Sequence, residues 1–359
     1  MAIERREHAA RVTRLLARFP VVAILGARQV GKTTLARQVA RMSGRRTVWF
    51  DLEDPADRAR LTDPRLALAG LQGLVVLDEI QFRPELFPAL RVLADRRPRR
   101  VRFLVLGSAS PSLLRQSSET LAGRIAYHEL PGFSLDEVGV SRLDRLWLRG
   151  GFPLAFLARS DADSLTWRQA FVRTFVERDL PSLGVGVAAE TMRRFWSMIA
   201  HRHAQVWNAS EIGRSFGVAD TTARGYLDVL TDALVVRQLR PWFENMGKRQ
   251  VKAPKVFIRD SGLLHTLLNL QTVRDVEGHP SLGASWEGFI IDQVVQRLGA
   301  GSNEIHFWRT HTGAELDLLV VRGKRRLGFE VKRTSAPGVT PSMRSALSDL
   351  GLTSLTVVH

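Results

Sequence analysis

The chain has 359 residues, 45% of them hydrophobic and 25% charged, with 52 basic against 36 acidic side chains and a net charge of +16. That composition suits two or three globular domains and excludes wholesale disorder and fibrous classes. No apolar run reaches the ~18 residues of a membrane helix, and the absence of cysteine excludes disulfides, thiolate metal sites and thiol nucleophiles.

The charged N-terminus leads into no secretory apolar core, so a cytoplasmic protein without a membrane partner is expected. The positive excess is concentrated in residues 1–150, which carry 26 basic and 16 acidic side chains. It favours polyanionic partners, nucleic acid above all. An arginine-for-lysine habit accounts for it equally well, because only six of the 52 basic residues are lysine. The run Arg96-Arg97-Pro98-Arg99-Arg100-Val101-Arg102 reads either as a solvated loop or as a phosphate-contact patch.

In chain order, Val12, Leu15, Leu16 and Phe19 form one face of an amphipathic helix that Pro20 ends. Val21–Leu25 reads as a buried strand, the loop Gly26–Gly31 follows, and a helix runs from Lys32 or Thr33 to about Met42. Strand-like runs recur at Thr47–Asp51, Leu74–Asp78, Phe103–Gly107 and Ile125–Glu129, with a helix at Glu85–Asp95. This alternation predicts a mostly parallel α/β sheet. Beyond about residue 140 the pattern changes. Gly150-Gly-Phe-Pro153 is a turn signal, Asp163–Leu180 a long helix, and residues 182–186 a linker. Residues 190–235 are mainly helical, and strands return near 251–258 and 305–332.

The segment Gly26-Ala27-Arg28-Gln29-Val30-Gly31-Lys32-Thr33 fits G-x-x-x-x-G-K-[ST] between a strand and a helix, the context the motif requires. The glycines let backbone N–H groups curl toward phosphate oxygens, and the following helix adds its partially positive N-terminus. Lys32 adds a full charge for the β and γ phosphates, Thr33 a hydroxyl for Mg²⁺, and Thr34 continues the loop into the helix. The second element is Leu74-Val-Val-Leu-Asp78-Glu79, an apolar strand ending in two carboxylates. Asp78 is expected to hold Mg²⁺ through water, and Glu79 to act as general base on the attacking water. Ser108, past the strand at 103–107, is either a hydrogen-bond donor to the γ-phosphate or that water, or a strand-terminating serine.

Asn208–Val218 reads as a capped short helix ending in a glycine turn, followed by a helix at Ala219–Leu230 with Tyr226, Leu227 and Leu230 inward. Thr221, Thr222 and Arg224 begin this second helix, where base and phosphate contacts occur in a helix-turn-helix. Lys248, Arg249, Lys252 and Lys255 follow a wing-like strand at 234–239 and hold half of the chain's lysines, which favours phosphate contact. His201 and His203 fall on different helix faces, so no metal role is assigned to them. Trp286 and Trp308 are expected in the core.

Near the C-terminus, Ser285–Leu298 is an amphipathic helix carrying Glu287. A two-residue turn at Gly323-Lys324 would set 322 against 325 and therefore Asp317 against Glu330 and Glu315 against Lys332. One face is then apolar and the other pairs like charges, an arrangement that a bound cation would make favourable.

These motifs together resemble the prokaryotic AAA-type ATPases that carry a C-terminal restriction-endonuclease-like region. The resembling residues are Gly26–Thr33, Leu77-Asp-Glu-Ile-Gln81, Leu121-Ala-Gly-Arg124, Gly150–Pro153, Glu177-Arg-Asp-Leu180, Lys252-Ala-Pro-Lys-Val-Phe257, Glu315-Leu-Asp317 and Glu330-Val-Lys332. The resemblance implies an ATPase core at 1–140, a helical lid at 141–189, a winged helix at 190–265 and an endonuclease-like domain at 266–359. It also implies ATP and Mg²⁺ as ligands and a second Mg²⁺ held by Asp317 and Glu330, with Glu287 and Lys332 nearby. Leu316 stands where many active nucleases have proline, which puts cleavage in doubt. Arg124 is the candidate transition-state arginine, acting within its own subunit or across a homo-oligomer. Arg178 is either a lid-side phosphate sensor or a member of a local ion-pair network. The leading expectation is an ATPase coupled to DNA binding; the alternatives are an ATP-gated nuclease and a non-hydrolysing ATP-binding adaptor.

Overall fold

The computed structural model describes residues 3–98, 100–108, 117, 119–182, 185–243 and 253–359. The chain divides into two units, Met1–Gly132 with Asp232–Leu234, and Phe133–Thr231 with Val235–His359.

In the first unit, strands β1 (Val21–Leu25), β2 (Thr47–Asp51), β3 (Gly73–Asp78), β4 (Val101–Gly107) and β5 (Ile125–Glu129) form a parallel sheet in the order β2-β3-β4-β1-β5. Every residue of β1 is buried, as a strand covered on both faces must be. The apolar run 21–25 has no polar alternate positions for that reason. Val12 and Leu16 are buried on the helix Arg6–Arg18, which packs beside the helix Lys32–Ser43. The strand order sets β4 between the strand that enters the glycine loop and the strand that ends in Asp78. All three therefore deliver their C-terminal ends to one edge.

The second unit holds a seven-stranded mixed sheet. Strands β6 (Gln205–Val206), β7 (Val236–Pro241) and β8 (Lys255–Ile258) pair antiparallel in the order β7-β8-β6. Strand β7 runs parallel to β9 (Ile305–Arg309), which continues into β10 (Glu315–Arg322), β11 (Arg325–Val331) and β12 (Ser354–Val358). The hairpin pairs Arg322 with Arg325 and Leu318 with Phe329, the register that a two-residue turn at 323–324 dictates. The face that carries Asp317 is enclosed as well. Leu316 through Val320 are all buried, because β9 and β11 flank β10 and the sheet is covered on both faces. Trp286 and Trp308 are core residues.

The long helix starts earlier than its apolar pattern suggests. Ser160 caps it by accepting from the Asp163 N–H, so the helix spans Asp161–Thr174 and then widens to a π-helical turn at Phe175–Asp179. The turn at 150–153 also has a structural cause. Gly150 has φ +77° and a Cβ there would lie 2.0 Å from Asp260 Oδ1. The other Asp260 oxygen accepts the Gly151 N–H at 2.7 Å, while Oδ1 caps the helix Ser261–Leu267 through Leu263 N–H. A Cβ on Gly262 would lie 2.1 Å from the Arg149 carbonyl. The fully buried Arg168 ties the same region by donating to the Leu148 and Gly262 carbonyls.

This packing leaves no space for a methyl group. Gly150→Ala and Gly262→Ala are each expected to cost at least about 3 kcal/mol, lowering the melting temperature of this unit by roughly 6 °C or more. Gly186→Ala, where nothing lies within 4 Å of the added carbon, serves as control and moves it by no more than about 1 °C. Equal melting temperatures for all three in calorimetry would contradict the close-approach account.

Candidate functional site

The glycine loop lies at the C-terminal end of β1. Gly31 has φ +100° and Gln29 φ +61°, so the chain alternates into the left-handed region and its N–H groups converge into a nest suited to an anion. Gly26 is constrained by space: a Cβ there would sit 2.7 Å from the Leu130 carbonyl oxygen and 2.9 Å from Val30 Cγ1. Lys32 is the first residue of the helix Lys32–Ser43 and is only 5% exposed. Its Nζ donates to the carbonyls of Gly26 and Ala27 at 3.2 and 3.1 Å, which holds the ammonium over the loop. Arg28, at the rim, pairs with Glu53 at 3.3 Å. Ala27 and Val30 are buried supports, and Thr34 continues the helix one residue beyond Thr33.

Asp78 ends β3 and is buried; its Oδ2 accepts the Thr33 hydroxyl at 2.8 Å. The two motifs, 45 residues apart, therefore meet. Burial pushes the Asp78 carboxyl above its ordinary pKa, the Thr33 hydrogen bond pulls it down, and the neighbouring Glu79 raises it again. Oδ1 accepts the Glu79 N–H at 2.9 Å. Glu79 has φ +54°, a conformation that costs a non-glycine residue on the order of 1 kcal/mol or more. The Gln81 side-chain amide donates to Glu79 Oε2. Gln81 is thus a positioning residue that the carboxylate pattern alone does not mark as functional. Half-buried Ser108 directly follows β4, between the ends of β1 and β3.

Arg124 is placed elsewhere. It precedes β5 and its carbonyl accepts the Val21 N–H, which puts it at the start of the sheet, a five-residue strand away from the loop. At about 3.3 Å per residue the separation is roughly 17 Å. Its guanidinium makes a bidentate pair with Asp95 at 2.6 and 2.9 Å. Within its own subunit Arg124 is a structural ion-pair residue and not a γ-phosphate ligand. Arg178 is exposed on the π-helical turn.

At the helix pair, Asn208 caps the helix Ala209–Phe216, and Gly217 ends it in the left-handed region. A Cβ on Gly213 would lie 2.8 Å from the Val218 carbonyl oxygen, so glycine permits the close turn into the helix Asp220–Asp232. Thr221 and Arg224 are exposed and Thr222 half-buried on that second helix. Lys248, Arg249 and Lys252 lie outside the described residues.

Lys255 departs from its expected role in phosphate contact. It is 3% exposed and its ammonium pairs with Glu287 at 3.0 Å and with Glu315, over the ring of Phe307. Burial alone would lower its pKa, but Glu287, Glu315 and Asp317 outweigh that and keep it charged. Asp317 Oδ2 accepts the Val331 N–H at 2.8 Å, and Glu330 Oε1 takes Lys332 Nζ at 2.8 Å. Strand β10 bulges against β9 between Leu316 and Leu319, where Asp317 sits. Among the described residues no three His, Cys, Asp or Glu side chains form a metal-holding group. Lys255 supplies the cation for Glu287 and Glu315, and Lys332 that for Glu330; nothing in the sequence near position 255 points to partners 32 and 60 residues ahead.

Residues 18–139 match the model of an AAA domain, 140–274 that of a domain of unknown function (DUF8612), and 282–359 that of another (DUF4143). Two uncharacterized proteins, Rv2008c of Mycobacterium tuberculosis and Mb2031c of Mycobacterium bovis, are each 55% identical over 359 residues, covering 100% of this chain and 80% of theirs. The Walker-type ATPase PABY2304 of Pyrococcus abyssi is similar in structure, with a TM-score of 0.52 and 15% identity over 74% of this chain and 96% of its own. Identity that low shows a shared fold. No described helix is long and apolar enough to cross a membrane.

The C-terminal cluster makes stability pH-dependent. Burial pushes the Glu287 carboxyl up to about 7, with Lys255 pulling the other way without overcoming it. The folded protein then retains a proton that the unfolded chain has already released, so this contribution to stability is present at acid pH and fades as pH rises toward 7. Melting temperatures between pH 4.5 and 8 should fall for wild type relative to Glu287→Gln; parallel curves would contradict the assignment.

Proposed function

The chain belongs to the family of the mycobacterial proteins Rv2008c and Mb2031c, with an AAA-type P-loop ATPase module at its N-terminal end, and from that premise we propose that it binds and hydrolyses ATP and couples nucleotide state to DNA binding by its second unit. The observation that carries the ATPase reading is the Thr33–Asp78 hydrogen bond beside Lys32 and the glycine loop. ATP would lay its phosphates on the N–H groups of residues 27–33, with the Lys32 ammonium exchanging its loop carbonyls for β and γ oxygens. Thr33 and Asp78 would hold Mg²⁺, which when bound neutralises phosphate charge and so favours transfer to water. Glu79, held by Gln81, is aimed to accept a proton from the attacking water. Ser108 offers a hydroxyl between the two motifs.

Support for the DNA-binding reading comes from the topology of residues 189–258. The order helix, strand, helix, helix, strand, strand with an antiparallel β7-β8-β6 sheet is compatible with a winged helix and supports that reading. Its second helix of the turn motif presents Thr221, Thr222 and Arg224. In this reading the C-terminal strands and the helix Leu282–Leu298 are an endonuclease-like scaffold used without cleavage. The buried Lys255 ammonium holds Glu287 and Glu315 beside Asp317, which supports a structural role for this cluster.

Phosphate release with Mg²⁺-ATP tests the ATPase assignment. Lys32→Ala is expected to abolish nucleotide binding. Glu79→Gln should retain it and lower turnover by at least about 10²-fold. Hydrolysis that survives both changes would overturn the assignment.

A further inference from the structure

We propose that the N-terminal edge of the five-stranded sheet, the pole of the first unit opposite the nucleotide loop, is a docking surface for the phosphate backbone of duplex DNA. The topology collects arginines there. The Arg46 carbonyl accepts the Leu74 N–H, the Arg100 carbonyl the Gly73 N–H, and the Arg124 carbonyl the Val21 N–H, all between 2.9 and 3.2 Å. The segments that start β2, β4 and β5 are thereby level with one another at a single edge. Gly73 makes the approach feasible, since a Cβ there would lie 2.2 Å from the Arg46 carbonyl oxygen.

Arg18, Arg45, Arg46, Arg96, Arg97 and Arg100 flank the strand starts at this edge, and all six are exposed. None of the six makes an ion pair among the described residues. The facing carboxylates are Asp95 and Glu119, and Asp95 is already clamped by Arg124. At the opposite pole Asp51 and Asp78 end their strands, and the nearby Glu53 and Asp57 are already paired with Arg28 and Arg60. The unpaired arginines at the strand starts therefore favour a polyanion at this pole.

The scale suits a duplex. From β2 to β5 the edge spans four inter-strand steps of about 4.8 Å, roughly 19 Å. At one phosphate per ~1.7 Å of axis, a duplex of that length carries on the order of ten phosphates. Arginine is well matched to phosphate because its planar donors bind two oxygens at once. Among the described residues this edge carries no base-reading element, so the contact is independent of sequence. The proposal shares DNA as a partner with the proposed function but uses none of the helix-pair residues.

The test uses the full chain, a fluorescein-labelled 20-base-pair duplex and anisotropy titrations from about 50 to 300 mM KCl. The variant Arg45→Gln/Arg46→Gln/Arg97→Gln/Arg100→Gln should weaken binding at least tenfold near 100 mM salt. Its log Kd against log salt slope should fall by about 3 to 4, since each lost phosphate contact removes about 0.9. Its ATP hydrolysis without DNA should stay at the wild-type rate, which reports intact folding. Thr222→Ala/Arg224→Ala runs alongside. Binding lowered by that pair alone, with the four-arginine variant unchanged in Kd and slope, would overturn the edge proposal and leave the helix reading standing. Binding lowered by the four-arginine variant alone would support the edge and count against the helix pair. Absence of duplex binding by wild type, or displacement of duplex by poly-glutamate as effectively as by unlabelled DNA, would overturn the proposal.

Discussion

One hydrogen bond, from Thr33 Oγ1 to Asp78 Oδ2 at 2.8 Å, joins the two halves of the candidate nucleotide site. Neither partner is free to be elsewhere. Thr33 is fixed by the first turn of a helix whose N-cap, Gly31, requires the left-handed region. Asp78 is fixed as the last residue of a buried strand. The parallel sheet, its strand order and the tight loop are the means by which those two positions coincide. The interaction is local, but it depends on the whole first unit, because β4 must lie between β1 and β3 for the ends of both strands to open onto one edge.

The same electrostatic rule, that a buried charge must find its opposite, is met differently in the two units. In the first, Asp78 carries a pKa raised by burial and relieved by a hydroxyl, which leaves its charge to be completed by a cation. In the second, Glu287 and Glu315 are completed by the chain's own Lys255. An exposed lysine could be lost with little effect. This one is enclosed at 3% exposure, and removing it would strand carboxylates in a low-dielectric setting. The contrast sets a carboxylate relieved by a hydroxyl against two carboxylates that the chain's own ammonium neutralises.

Much of the first unit is legible in the sequence because its signals are local. Buried parallel strands require continuous apolar runs, and the glycine loop needs residue types at fixed spacing. The hairpin register at 322–325 follows from turn length alone. What was not legible depends on contacts between distant positions. The basic character of Lys255 suggested phosphate, but its partners lie on a helix and a strand far along the chain. Arg124 sits in a motif associated with nucleotide chemistry, yet parallel pairing of β5 with β1 places it at the wrong end of the strand. The hairpin pattern in 315–331 sets like charges on one face, and nothing in it shows that this face is buried between flanking strands. Gln81 and Gln29 lie within the quoted motifs, but what they do there comes from a side-chain contact and a backbone angle that spacing does not give.

The account stands on Thr33 and Asp78 acting as one magnesium-holding pair, and a double-mutant cycle on nucleotide affinity addresses that directly. Calorimetric titration of ATP with and without Mg²⁺ would be run on wild type, Thr33→Ala, Asp78→Asn and the double variant. The account predicts that each single change removes most of the Mg²⁺-dependent gain in affinity and that the double variant loses little more, a coupling of at least about 1 kcal/mol. Additive losses, or a Mg²⁺ dependence unchanged in either single variant, would contradict it.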